Sequence, residues 1–173
     1  MPVSIAVNLS PVQFRGTKLL ETVTSALTQS QLPAARLELE ITEGALLDNT
    51  DGVLNVLNGL RDLGTAISMD DFGTGYSSLG YLQKFPFNKI KIDQCFIYDI
   101  DAHADRRAII RAVTSLADAL GMRTIAEGVE TEAELSCIRD GGCNEVQGYL
   151  TGRPMSAEAV TKMLQSIAMK HAA

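Results

Sequence analysis

Apolar and polar residues alternate in six short segments spread along the chain. Such alternation is typical of β-strands, in which successive side chains point to opposite faces. In the segment LELEI, Leu37 and Ile41 share one face and Glu38 and Glu40 share the other. We therefore predict six strands, at Ser4–Asn8, Leu37–Ile41, Ala66–Asp70, Lys89–Asp93, Arg123–Glu127 and Asn144–Tyr149.

The segments between these strands carry apolar residues at helical spacing, and glycine or proline follows most of them. They predict six helices, at Thr17–Gln29, Asp51–Leu63, Ser77–Lys84, Asp105–Leu120, Thr131–Asp140 and Ala157–His171. Strands that alternate with helices form parallel βα units. A barrel and an open doubly wound sheet both satisfy this count.

The one-sided polarity of the strands favours the barrel. Parallel strands covered by helices on both sides tend to be apolar on both faces, whereas here Ile67 and Met69 alternate with Ser68 and Asp70. We expect an α/β fold, an incomplete TIM-like barrel of about six βα units. Its apolar face would meet the helices, and its polar interior would open at the C-terminal strand ends, where such barrels carry their chemistry.

Length and composition set the broad class. With 173 residues, 46% of them hydrophobic and 21% charged, the chain is expected to form one soluble domain over residues 1–173. Neither a membrane span nor a signal peptide is recognisable, which predicts a cytoplasmic chain. A net charge of −6 argues against DNA as a partner. The three cysteines lack a CxxC pair and only two histidines are present, so neither disulfides nor zinc is expected.

Polar and charged side chains occupy the predicted C-terminal strand ends. Taken singly, such residues are common in turns and at helix N-caps. Taken together they would face one opening, and oxygen ligands without histidine or cysteine suit Mg²⁺ or Mn²⁺, with Ca²⁺ as a competitor. Adjacent Asp70 and Asp71 in particular are costly to hold out of water without a cation. The set comprises Asn8, Glu40, Asp70, Asp71, Lys91, Glu127 and Gln147.

These strand ends lie within six motifs, which are Asn8–Ser10 (NLS), Glu40–Glu43 (EITE), Asp70–Ser78 (DDFGTGYSS), Lys91–Asp93 (KID), Glu127–Glu130 (EGVE) and Gln147–Leu150 (QGYL) followed by Arg153-Pro154. In this order the motifs resemble those of the bacterial EAL-type cyclic-di-GMP phosphodiesterases. The resemblance extends over nearly the whole chain. It implies Mg²⁺- or Mn²⁺-dependent hydrolysis of cyclic-di-GMP to linear pGpG by a two-metal mechanism.

The resemblance also implies roles for individual residues. Ligands of a first metal ion would be Asn8, Glu40 and Asp70. Ligands of a second would be Asp70, Asp71 and Glu127, so that Asp70 bridges the two ions.

Further roles follow from the same resemblance. Lys91 would hold the attacking water, Glu127 would accept its proton, and Gln147 would contact the region of this water. Glu43 resembles the anchor of the DDFGTG loop, and Glu130 resembles a residue that supports the metal ligands. Because this loop is linked to dimerisation in the family, a homodimer is also expected.

The chain departs from the family pattern because the Glu-Ala-Leu motif itself is absent. Since a complete barrel of this type has about 250 residues, we expect the C-terminal part of an EAL domain, with the first strand, its flanking helices and one carboxylate of the first metal site missing. Two alternatives stay open, a phosphodiesterase and a non-catalytic module that binds cyclic-di-GMP or a protein. The joint presence of Asp70, Asp71, Lys91 and Glu127 favours the enzyme. An unrelated Mg²⁺-dependent barrel enzyme would leave the QGYL segment unexplained.

Overall fold

A single parallel sheet of six strands organises the chain, and its strands are adjacent in sequence order. The structure is a computed structural model that describes residues 3–14, 18–46, 50–75 and 79–171, with the side chains of these other than 50, 79 and 168–171. The strands are β1 (Ile5–Leu9), β2 (Leu37–Thr42), β3 (Ala66–Phe72), β4 (Lys89–Ile92), β5 (Arg123–Ala126) and β6 (Glu145–Val146).

Helices connect the strands, as a parallel sheet requires. They are α1 (Pro11–Phe14), α2 (Leu19–Ser30), α3 (Thr50–Asp62), α4 (Leu79–Lys84), α5 (Ala104–Ala119), α6 (Glu132–Asp140) and α7 (Ala157–His171). The predicted α/β class with parallel βα units is confirmed. Short α1 and three 3₁₀ turns, at Ala34–Arg36, Glu43–Leu46 and Gln94–Phe96, were not predicted. The predicted helix starts at Thr17 and Ser77 lie outside the described residues. No helix among the described residues is both long and apolar enough to cross a bilayer.

The last strand is much shorter than predicted, because Asn144–Tyr149 forms a strand only at Glu145–Val146. Beyond Gln147 the chain folds onto the segment that follows β5, where the Leu150 N–H donates to the Val129 carbonyl at 3.1 Å. Gly148 packs so closely there that a Cβ atom would lie 2.1 Å from the Val129 carbonyl oxygen. This backbone contact between distant segments ends the strand.

The two faces of the sheet differ as the alternation predicts. Six apolar side chains of β2, β3 and β4 point into the core and are at most 2% exposed; they are Leu39, Ile41, Ile67, Met69, Ile90 and Ile92. Burial of such a side chain contributes about 1.5–3 kcal/mol to stability. The opposite face carries charged residues, which form two layers centred on Lys89 and Lys91.

The lower layer joins non-neighbouring strands at the N-terminal end of the sheet. Lys89 Nζ lies 3.0 Å from Glu38 Oε2 and 2.9 Å from Glu145 Oε2, and the Lys89 side chain is 16% exposed. Burial disfavours the charged ammonium, but hydrogen bonds to Glu145 and Glu38 outweigh it and raise the pKa of Lys89 above its usual 10.5.

This raised pKa predicts an alkaline limit to stability. The contribution of Lys89 is fully present below the unfolded-state pKa and is lost as the pH rises through the higher folded-state pKa. Urea unfolding of the wild type and of Lys89→Met between pH 8 and pH 11 should show a stability difference that shrinks at the alkaline end. Groups that titrate in both proteins contribute equally to the two free energies of unfolding, so they do not affect the difference. A difference that stays constant across the range would contradict the prediction.

Candidate metal centre and catalytic site

Three carboxylates converge at the C-terminal ends of β3 and β5. One oxygen each of Asp70, Asp71 and Glu127 lies within 4.8 Å of the other two. Such a set of hard oxygen donors fits a divalent cation of the Mg²⁺, Mn²⁺ or Ca²⁺ type. The structure therefore brings together all three residues predicted as ligands of the second metal.

A local irregularity of β3 allows two adjacent carboxylates to reach one opening. In a regular strand, neighbouring side chains point to opposite faces. The register between β3 and β4 shifts between Met69 and Phe72, and Asp71 has a φ of 54°, a left-handed conformation that is uncommon outside glycine. Gly73 continues the turn with a φ of 95°, and a Cβ there would lie 2.6 Å from the Phe96 ring. The bulge thus aims Asp71 toward the site of Asp70.

Lys91 lies at the centre of the upper layer and contacts three carboxylates. Its Nζ atom is 2.7 Å from Asp70 Oδ1, 2.9 Å from Glu127 Oε1 and 3.0 Å from Glu40 Oε1. All four side chains are at most 17% exposed. An ammonium group has three N–H donors, so the three carboxylates occupy all of them. The four residues come from β2, β3, β4 and the end of β5, and parallel pairing places them side by side.

The site carries excess negative charge. With Asp71 included, four carboxylates face one ammonium, which leaves three negative charges uncompensated. Burial raises the pKa of Asp71, and the carboxylates of Asp70 and Asp93 raise it further. Burial also raises the pKa of Glu127, although Lys91 opposes this shift. Carboxylates that are held together against their own repulsion in this way bind a divalent cation favourably.

The other predicted site residues lie around this cluster at different depths. Asn8 is exposed on β1, directly opposite Glu40 of β2 in the parallel register. Gln147 is exposed and lines a cavity of about 390 Å³ together with Asp71, Glu127 and Glu130. This cavity is the opening through which a ligand would reach the carboxylates.

Glu43 and Glu130 occupy contrasting environments. The Glu43 side chain is buried, and its Oε2 lies 3.2 Å from the position that a Cβ of Gly75 would occupy, in contact with the DDFGTG loop. Glu130 is exposed, and its backbone N–H donates to Glu134. Glu134 also completes a capping box with Thr131 at the start of α6.

Sequence reasoning assigned no role to two residues at the site. Asp93 lines the cavity and caps the 3₁₀ turn that follows β4 through a hydrogen bond from the Cys95 N–H at 2.9 Å. Its place at the end of the KID motif was the available signal. Ser68, two residues before Asp70 on β3, is fully buried on the polar face, and nothing in the sequence singled it out.

Known proteins share this sequence and architecture. The EAL domain family profile matches residues 1–154. The chain is 44% identical over 165 residues to the bifunctional diguanylate cyclase/cyclic di-GMP phosphodiesterase MucR of Pseudomonas aeruginosa, covering 95% of this chain and 24% of that protein. It spans between 20% and 24% of the length of the first five curated relatives.

Solved structures of related proteins have a similar fold. The structure of a MucR phosphodiesterase in complex with c-di-GMP superposes with a TM-score of 0.86 at 44% identity, covering 91% of this chain and 70% of that one. A manganese and cyclic-di-GMP complex of Klebsiella pneumoniae BlrP1 superposes with a TM-score of 0.82 at 32% identity, covering 87% of this chain and 39% of that one. With the family profile matched over residues 1–154 and a fold that superposes on these solved structures, the chain belongs to the EAL domain family.

Proposed function

We propose that the chain carries the catalytic centre of a phosphodiesterase that hydrolyses cyclic-di-GMP to linear pGpG with Mg²⁺ or Mn²⁺. The observation that carries this proposal is the convergence of Asp70, Asp71 and Glu127 beside Lys91. The cyclic-di-GMP and manganese named for the BlrP1 complex support the substrate and the cation. The three free cysteines are consistent with the reducing cytoplasm, where we place the activity.

The proposed reaction adds water to one phosphodiester. The water oxygen forms a bond to phosphorus, the bond from phosphorus to the 3′ oxygen breaks, and that oxygen takes up a proton. Two bound divalent cations would acidify the water and neutralise the phosphate charge. Asn8, Glu40 and Asp70 would hold one ion, and Asp70, Asp71 and Glu127 the other.

The remaining roles fall to residues beside these ligands. Glu127 would take the proton of the water, since a general base must lie within hydrogen-bond reach of the proton that it accepts. The Lys91 ammonium contacts the carboxylates of Glu40, Asp70 and Glu127. Cations bound to these carboxylates would leave its ammonium charge available to the phosphoryl oxygens and the water. Gln147 would contact the water from the cavity wall, and Glu43 and Glu130 would support the loop and the ligands.

A chromatographic assay of cyclic-di-GMP turnover tests the proposal. The purified chain with Mn²⁺ or Mg²⁺ should produce linear pGpG, and EDTA or excess Ca²⁺ should stop the reaction. Mn²⁺ should also raise the melting temperature, because a ligand that binds only the folded state stabilises it. Absence of turnover together with unchanged melts at millimolar Mn²⁺ would refute a metal-dependent enzyme.

The exposed position of Asn8 favours a second candidate, a module that binds cyclic-di-GMP without hydrolysing it. Asn8 lies on β1, which pairs only with β2 among the described strands, so one proposed ligand of the first metal is held on one side only. Calorimetric binding of cyclic-di-GMP without pGpG formation at saturating Mn²⁺ would favour this module over the enzyme.

We also propose that the chain forms a homodimer. An apolar groove of about 420 Å³ beside β1 is lined by Ile5, Val7, Leu27, Leu32 and Leu37, and Ile5 and Val7 are 49% and 42% exposed. Exposed apolar strands of this kind favour association with a second copy. Light scattering at several concentrations should report the dimer mass, and a monomer at every concentration would refute it.

A further inference from the structure

Ser68 carries a buried hydroxyl group that has no hydrogen-bond partner among the described residues. The residue is 0% exposed. An unsatisfied buried polar group costs about 1–3 kcal/mol, and most buried side-chain polar atoms in proteins are paired. Alanine at this position would avoid that cost, so the presence of serine indicates a role for the hydroxyl group.

The position of Ser68 places its side chain beneath the proposed metal centre. It lies two residues before Asp70 on β3, and alternation along a strand directs both side chains to the polar face. In the register, Ser68 is opposite Glu40 on β2 and Lys89 on β4. Neighbouring strands are about 4.8 Å apart. Ser68 therefore lies between the upper layer around Lys91 and the lower layer around Lys89.

The neighbouring groups determine which hydrogen bond the hydroxyl can make. The donors of Lys91 are directed to Asp70, Glu127 and Glu40, and Lys89 is paired with Glu38 and Glu145. Carboxylates keep spare acceptor capacity, because each has about four lone-pair sites. Glu40 contacts Lys91 through Oε1 at 3.0 Å. A hydroxyl donor directly opposite Glu40 is therefore matched to its carboxylate.

We infer that Ser68 is a positioning residue for the metal centre, whose hydroxyl donates to the Glu40 carboxylate. The contact would be made directly after a rotation about χ1, or through one buried water. It would hold the Glu40 carboxylate in the orientation of a metal ligand. The inference rests on the proposed function, since it assigns Glu40 to a cation. Partners that orient metal ligands typically contribute 10- to 100-fold to metal affinity.

Manganese binding and stability together test the inference. The free Mn²⁺ signal in electron paramagnetic resonance gives the affinity of the wild type, Ser68→Ala and Ser68→Thr, and thermal melts of the metal-free chains give stability. We expect Ser68→Ala to bind Mn²⁺ about 10-fold or more weakly with a melting temperature close to that of the wild type. Ser68→Thr, which keeps the hydroxyl, should retain most of the affinity.

Thr65→Val is the matched control. Thr65 is buried just before β3, at the opposite end from the site, and its hydroxyl donates to the Leu60 carbonyl at 2.8 Å. Its loss should lower the melting temperature and leave Mn²⁺ affinity unchanged. Equal Mn²⁺ affinity of the wild type and Ser68→Ala would overturn the role of Ser68 while leaving the proposed function intact. A wild type that binds no Mn²⁺ would overturn both.

Discussion

The metal-free Lys91→Met variant is expected to be less stable than the wild type by about 3–5 kcal/mol, the cost of removing one partner of a buried ion pair. Lys91 is the ammonium that contacts Asp70, Glu127 and Glu40, and the four side chains are 5–17% exposed. Methionine fills a similar volume, so the loss reports the uncompensated carboxylates. Urea unfolding in the presence of EDTA measures the difference.

The chain offers a matched control and a rescue for this variant. Lys84 is paired with Asp51 at 3.0 Å, but their side chains are 44% and 90% exposed. Lys84→Met should therefore change stability by less than about 1 kcal/mol. Mn²⁺ should restore much of the stability of Lys91→Met, because a cation replaces the missing charge, whereas hydrolysis should stay suppressed. Equal stability of the two lysine variants without metal would contradict the assigned role of Lys91.

The second large effect is expected from Asp70→Asn. Asparagine keeps the size of the side chain but removes the charge that, in the proposed mechanism, both metal ions share. Hydrolysis of cyclic-di-GMP should fall at least about 100-fold, the usual loss for one preorganised electrostatic contact, and Mn²⁺ should bind more weakly. Steady-state rates and Mn²⁺ titrations give these two quantities.

Asp140→Asn serves as the control for this substitution. Asp140 is exposed at the end of α6, away from the converging carboxylates. Its variant should keep the rate and the Mn²⁺ affinity of the wild type. Retention of both by Asp70→Asn as well would exclude Asp70 as a bridging ligand.

The sequence predicted most of the fold because strand and helix periodicity are local properties. Five strands and six helices begin and end within a few residues of their predicted limits wherever those limits are described. The predicted end of the sixth strand was wrong, because this end depends on a contact between two separate segments of the chain. Gly148 lies against the Val129 backbone, and no local pattern of apolar residues reports such an approach.

For the candidate site, too, some features follow from the sequence and others only from the tertiary structure. The sequence by itself determined which side chains share a strand face and which motifs follow the strands, and hence the family and the set of oxygen donors. Only the tertiary structure decided that Lys91 contacts three carboxylates, that a bulge turns Asp71 toward Asp70, and that the Ser68 hydroxyl is buried without a hydrogen-bond partner among the described residues. Those features depend on the register between strands distant in sequence, which sets distances of a few ångströms that the order of residues along one strand does not specify.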